Sequence, residues 1–206
     1  MRHMGMENKR SFSQENIKSA QKSIDWAQGY LDDGLGSYAT GLGIESFESF
    51  EDMKVLDLGA GAHLQFARGL KKAGIKADVV SFSPAFADES WRDNIINRKE
   101  SDKIVAGMGE ELPFASGSFD RVVCLDVVEH LITYERYITF LKEITRILAP
   151  KGIAYIAPMI ETKFNRSAIV IPKEELEKLL ENKVDVNWQL TRKVLKYFKL
   201  TLEKKE

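Results

Sequence analysis

The stretch Met53-Lys54-Val55-Leu56-Asp57-Leu58-Gly59-Ala60-Gly61-Ala62-His63 decides how this chain folds. Val55 to Leu58 is a short apolar run that reads as a buried strand. It runs into Gly-Ala-Gly, a tight turn at which a backbone can approach a ligand closely. Behind the turn, Leu64, Phe66, Ala67 and Leu70 begin a helical pattern that stops at Gly74, a natural C-terminal cap. Strand, glycine turn and helix make the front end of a nucleotide-binding α/β unit, with the helix N-terminus aimed at the ligand. A dinucleotide fingerprint needs a third glycine at position 64, where Leu64 stands, and no Gly-Lys-Ser/Thr phosphate loop occurs. Leu64, together with the missing acid after the second strand, demotes a nicotinamide-dependent oxidoreductase.

Toward the C-terminus, strands and helices alternate. Ala77 to Val80 reads as a second strand, ended by Ser81-Phe82-Ser83-Pro84. Ser83 and Pro84 suit the cap and first position of a helix running to about Lys99. Lys103 to Ala106 is a third strand, Gly107 to Phe114 a loop, and Phe119 to Leu125 a fourth strand, apolar throughout its second half. Thr133 caps a helix from Tyr134 to about Leu148, with Tyr137, Phe140, Leu141, Ile144 and Ile147 on one face. Pro150-Lys151-Gly152 breaks it, and Ile153 to Ala157 is a fifth strand that ends at Pro158. This order predicts a parallel sheet covered on both faces.

Met159 to Val170 reads as a loop, and Pro172 opens a helix to about Asn182. Val184 to Leu190 and Phe198 to Leu202 alternate apolar and polar residues, which predicts an antiparallel pair at the sheet edge. Thr191 to Tyr197 fits a turn or a short helix. Arg192 to Lys205 carries six basic residues and one acid, Glu203. They read as gatekeeping charges on an edge strand, with a basic docking patch as the alternative.

Toward the N-terminus, Ser13 is the N-cap of a helix to about Asp32, with Ile17, Ala20, Ile24, Ala27 and Leu31 on one face. Gly34 to Gly43 holds four glycines in ten residues and reads as a mobile loop or a lid, with Tyr38 placed to touch a substrate. Ile44 to Phe50 is a short helix leading into the first strand.

The 206 residues carry a net charge of −1 and fit one domain. Residues 1–52 form a helical cap and glycine-rich loop, 53–158 the cofactor-binding core, and 159–206 a helix and edge strands. A chain of this length buries roughly 70% of its unfolded surface and needs no staples. One cysteine, Cys124, excludes an internal disulfide framework, and three histidines without cysteine partners at zinc spacing argue against a metal site. No run approaches a membrane span and no signal-peptide core follows the start, so a cytoplasmic location is expected. The near-neutral charge argues against a mainly electrostatic nucleic-acid binder.

Several separated segments resemble one family. Asp57-x-Gly-x-Gly is similar to the first motif of Rossmann-like methyltransferases that use S-adenosylmethionine. Leu112-Pro113-Phe114 followed by Ser118-Phe119-Asp120-Arg121-Val122 resembles the "LPF…SFD-x-V" segment of the small-molecule, ubiquinone/menaquinone-methyltransferase-like (type 11) group. Val128-Glu129-His130 resembles that group's "LEH" segment, and Arg146 to Gly152 its "R-V-L-K-P-G-G" turn.

The resemblance implies an α/β, Rossmann-like, doubly wound and mostly parallel sheet with an antiparallel C-terminal edge strand. It implies S-adenosylmethionine as cofactor and a small-molecule methyl acceptor, with nucleic acid or protein acceptors left open. The cofactor tail would lie at Gly59 and Gly61, with Asp57 and Asp126 close by, the ribose at Ser81 (or Ser83), and the adenine at Met108 and Gly109. His130, beside Glu129, is the candidate acid/base. Three positions depart from the family pattern. His63 replaces the third glycine, Ser81 the ribose-binding acid, and Met108 an adenine-binding aspartate. Those departures motivate the alternative of a methyltransferase-fold binding or scaffold module without transfer activity.

Overall fold

The computed structural model describes residues 34–61, 63–87, 89, 103–131, 133–160, 173–181, 186–192 and 197–206. Seven strands form one sheet: β1 Lys54–Leu58, β2 Asp78–Phe82, β3 Ile104–Val105, β4 Phe119–Leu125, β5 Leu148–Ile160, β6 Val186–Arg192 and β7 Tyr197–Lys204. Their order across the sheet is β3-β2-β1-β4-β5-β7-β6. The first five pair in parallel, and β7 is antiparallel to both β5 and β6. This is the expected Rossmann-like sheet with a reversed C-terminal pair. The reversed strand, β7, lies one position in, and β6 is outermost.

Four helices are described: α1 Gly36–Leu42, α2 Gln65–Lys72, α3 Tyr134–Ile147 and α4 Lys173–Glu181. Adjacent strand residues point to opposite faces, so β1 serves two cores. Leu56 and Leu58 join Val122, Cys124, Phe140, Ile144, Leu176 and Leu180 under α3 and α4. Val55 joins Val123, Tyr38, Leu42, Phe47, Phe50, Phe66 and Leu70 under α1 and α2. The stripe predicted for α3 is buried as expected, and Thr133 caps the helix by accepting from the Arg136 N–H.

Three local readings are corrected. Gly34 to Gly43 is not a loop: residues 36–42 are helical, and Leu35, Tyr38, Ala39 and Leu42 are buried. Burial of that apolar face outweighs the helix cost of two glycines, about 1 kcal/mol each. Tyr38 therefore lies in the core, tilted against Phe66 at 4.9 Å between ring centroids. The second strand extends through Ser81 and Phe82, because both pair with β1 in register with Asp57 and Leu58. The fifth strand begins at Leu148 and passes Pro158, which falls in a register shift between Ile156 and Met159, where proline's missing N–H is tolerated.

The basic residues of β7 do not guard an edge. Lys199 lies over the Tyr155 ring at 5.7 Å, and Lys204 donates to the Thr145 carbonyl near the end of α3 at 3.1 Å. The helix read from Ser13 lies outside the described residues, as does most of the one read toward Lys99, although Ser83 does accept from the Ala85 N–H, as a cap would. The loop read after Ile160 and residues 193–196 also lie outside them. Among the described residues no helix is long and apolar enough to cross a membrane.

The segment from Leu112 to Phe119 is fixed from α3. Arg146 donates to the carbonyls of Leu112 and Phe114 at 2.9 and 2.7 Å and to the Glu143 carboxylate. Glu143 in turn accepts from the Leu112 N–H at 2.8 Å. Arg146→Ala removes the donors and leaves two carbonyls to find water. The expected loss is about 1–3 kcal/mol of unfolding free energy by urea denaturation. A variant as stable as the parent would show that the clamp is dispensable.

Candidate active site at the carboxyl edge of the sheet

Parallel strands bring their carboxyl ends to one edge, and the loops leaving β1, β2, β3 and β4 meet there. After β1, Gly59 and Gly61 have φ of +91° and +60°. At Gly59 the space is also closed, since an added Cβ would lie 2.2 Å from Val127 Cγ2. At Gly61 nothing among the described residues lies within 4 Å of that position, so this bend of the turn is open toward them. The N–H groups of Gly59 and Ala60 donate to the Phe82 carbonyl, which fastens the turn to β2. His63, at the position of the missing third glycine, is exposed. Leu64 turns the chain into α2 with φ +48°, buried with Ala60 and Phe86.

Asp57 is the buried charge beneath this turn, 1% exposed. The Tyr38 hydroxyl donates to it, 3.2 Å from Oδ1 and 3.4 Å from Oδ2. Burial pushes the Asp57 carboxyl up to about 7, and the Tyr38 hydrogen bond opposes that rise. Burial, followed by the nearby Asp57 charge, pushes the Tyr38 hydroxyl far above its ordinary range.

Ser81 is opposite Asp57 in the parallel register, so both side chains share one sheet face. Ser81 is fully buried, and its Oγ has no hydrogen-bond partner among the described residues. A buried hydroxyl without a partner carries a cost of about 1–3 kcal/mol that a ligand atom can remove. Ser83, just past β2, already serves the Ala85 N–H. The two serines weighed for the ribose position are thus separated by their bonding.

The β3 loop places Met108 on the outside, 48% exposed. Gly109 packs against α3 so closely that an added Cβ would lie 2.8 Å from Phe140. Glu110, in the same loop, forms an ion pair with Arg136 of α3. After β4, Asp126 has φ +57°, a left-handed conformation that aspartate tolerates better than most residues. Its N–H donates to the Ala157 carbonyl at 2.9 Å. Partial burial raises the Asp126 carboxyl, and the neighbouring His130 pulls it back. His130 closes a short 3-10 turn, Val128–His130, and its ring is exposed.

The structure brings Asp57, Gly59, Gly61 and Ser81 together in one register-linked group. It sets Met108 and Gly109 on the β3 loop, and Asp126 and His130 on the β4 loop, at the same edge. Tyr38 was placed by its glycine-rich surroundings rather than by its partner. The signal that could have found it is an aromatic hydroxyl in a segment preceding a strand that carries a buried acid. Among the described residues no group of acidic, histidine and cysteine side chains is arranged to hold a metal ion.

Residues 56–156 match the methyltransferase domain family Methyltransf_11. An uncharacterized protein of Methanocaldococcus jannaschii is 30% identical over 134 residues, 65% of this chain and 49% of that protein. The chain spans half or less of the length of the curated relatives it matches. A putative S-adenosyl-L-methionine-dependent methyltransferase from Methanococcus maripaludis superposes with a TM-score of 0.59 at 19% identity, covering 99% of this chain and 98% of that one. The Burkholderia thailandensis 1,6-didemethyltoxoflavin-N1-methyltransferase, with 1,6-didemethyltoxoflavin and S-adenosylhomocysteine bound, superposes at 0.56 and 18% identity over 95% and 92% of the two chains. The glycine turn and the clamped Leu112–Phe119 segment lie inside the matched region, so residues 56–156 match a type 11 methyltransferase domain, and the sheet has the Rossmann-like fold of S-adenosylmethionine-dependent methyltransferases.

Proposed function

We propose that this chain transfers a methyl group from S-adenosylmethionine to a small-molecule acceptor. The observation that carries the reading is Ser81, whose buried and unpartnered hydroxyl lies beside Asp57, beneath a glycine turn open at Gly61. The residues present fit the cofactor. Gly59 to Gly61 would receive its amino-acid tail, Ser81 a ribose hydroxyl, the Met108–Gly109 loop the adenine, and Asp126 the tail region. The bound sulfonium supplies an electrophilic methyl group. The chain's own residues have to orient the reacting groups and exclude water. His130 is assigned the acceptor's proton, because its ring is exposed at the edge and Asp126 lies in its electrostatic reach. The 1,6-didemethyltoxoflavin-N1-methyltransferase, a fold neighbour with 1,6-didemethyltoxoflavin bound, supports a small acceptor.

A second reading, a binding module without transfer, draws on the β3 loop. Met108 offers no strong acceptor for an adenine amino group, and Glu110, the nearby carboxylate, is engaged by Arg136. The two readings separate when S-adenosylmethionine binds but no methyl transfer follows with any small-molecule acceptor tried.

Calorimetric titration with S-adenosylmethionine tests the site. Gly61→Val puts a side chain into the open bend, and its expected effect is at least about a tenfold loss of affinity with the fold retained by circular dichroism. Unchanged affinity would move the cofactor away from this turn.

Ser81→Ala separates a ligand role from a packing role. Removing an unpartnered buried hydroxyl should leave stability unchanged or raise it by up to about 1 kcal/mol in urea melts, while affinity for S-adenosylmethionine falls about five- to tenfold. A variant that loses stability and keeps affinity would assign the hydroxyl to the fold.

A further inference from the structure

We propose that β6 is a docking edge for a second copy of this chain, the two β6 strands pairing antiparallel about Gln189. This edge lies beyond β5 and β7 from the candidate site, and its pairing is independent of the methyltransferase reading.

A sheet has two edges, and folded chains keep them from pairing at random by shortening, charging, bending or covering them. The two edges here differ. β3, at one end, is two residues long and offers little to pair with. β6, at the other end, is seven residues long and pairs with β7 from Val186 to Arg192 without a register shift. On its other side no strand lies beside it among the described residues. Alternate residues of such a strand turn their N–H and C=O groups outward. Val186 to Thr191 holds no charged residue and no proline, and no bulge bends it. The lysines that would guard an edge belong to β7, an interior strand, where Lys199 covers the Tyr155 ring and Lys204 serves the Thr145 carbonyl.

The pattern along β6 is complementary to itself. Trp188 and Leu190 pack against the core under α3 and α4 but are only partly buried, so the apolar layer runs out to the rim of the sheet. Asn187 and Gln189 point to the opposite face and are exposed. Gln189 is the middle residue of the strand, so a two-fold axis there pairs its whole length. Trp188 of one copy then stands opposite Leu190 of the other, and Asn187 opposite Thr191. Apolar meets apolar on one face, and polar meets polar on the other. A slip of one residue sets Trp188 against Thr191 and Gln189 against Leu190, which mixes the two faces. Arg192 falls opposite Val186 of the second copy, which keeps the two guanidinium groups at opposite ends of the contact.

β6 is antiparallel to β7, and β7 to β5, so β6 runs in the direction of the parallel strands. Pairing about Gln189 therefore joins two seven-stranded sheets into one, with the two candidate sites at opposite edges. A contact of one strand pair belongs with the small interfaces, under about 1,200 Å², so dimerisation is weak and concentration-dependent.

The test is sedimentation equilibrium of the full chain from about 1 to about 300 µM. The parent's mass should rise from monomer toward dimer across that range. Two variants probe the register, with folding checked by thermal melts. Asn187→Lys with Thr191→Lys sets like charges opposite each other twice across the axis and should weaken association. Asn187→Lys with Thr191→Glu sets opposite charges in the same places and should strengthen it. The two dissociation constants should differ by about tenfold or more. Hydrogen exchange of the parent reads the edge itself: alternate β6 amides should gain protection at the high concentration only. A monomer at every concentration, equal association of the two variants, or β6 amides equally protected at both concentrations overturns the proposal. The last result would mean that the chain covers its own edge. If either variant does not fold, the exchange comparison in the parent decides.

Discussion

Asp57 occupies the fourth position of a five-residue strand whose other buried residues are aliphatic, and it is as inaccessible as they are. A carboxylate there is expensive unless something meets it, and what meets it comes from an element earlier in the chain. The Tyr38 hydroxyl can reach Asp57 only if residues 36–42 are helical and packed on the sheet. The Asp57 bond therefore ties the placement of α1 to β1. The same strand position sets the register with β2, which puts Ser81 beside Asp57 and aligns the ends of β1 and β2 at the edge where the glycine turn opens. Linkage makes the arrangement pH-sensitive. A carboxyl whose folded titration is raised favours the folded state most at acid pH, and that contribution fades as pH rises through about 7.

The second organising device is the α3 clamp. The segment between β3 and β4 has little regular structure, yet its carbonyls at Leu112 and Phe114 are held by Arg146 and its Leu112 N–H by Glu143. Phe114 is wedged between Phe82 and Phe119. The family-like letters in this segment and around Arg146 thus describe one structural joint, made of two stretches more than thirty residues apart. It fixes the far side of the β3 loop, and so bears on the ligand edge without touching it.

Much of the sheet was legible because its strands are apolar on both faces and are separated by turn residues. Phe119 to Leu125 was read to the residue, and the reversed C-terminal pair followed from simple alternation. The failures have a common cause. Local propensity points one way where tertiary packing decides the other. Four glycines outweighed Leu35, Tyr38, Ala39 and Leu42 in reading residues 34–43, although those four make an apolar face. Ser81 was read as a strand terminator, whereas pairing to β1 keeps it inside the sheet. For the site, the glycine turn and the loop positions could be named from spacing. The Tyr38–Asp57 bond, the orphaned Ser81 hydroxyl and the capture of Glu110 by Arg136 join residues remote in sequence, and no local pattern encodes them.

The position of β7 has a consequence for assembly. β6 comes earlier in the chain but has no strand to lie against until β7 is seated on β5, since β7 separates the two. The sheet must therefore close out of chain order: β7 docks first or the two arrive as a hairpin. Either way β5, the last parallel strand, presents an open ladder of N–H and C=O groups until residues 197–204 reach it. During synthesis that exposed edge persists for the time needed to make α4, β6 and β7, and it is the point at which two nascent copies are most able to pair with each other.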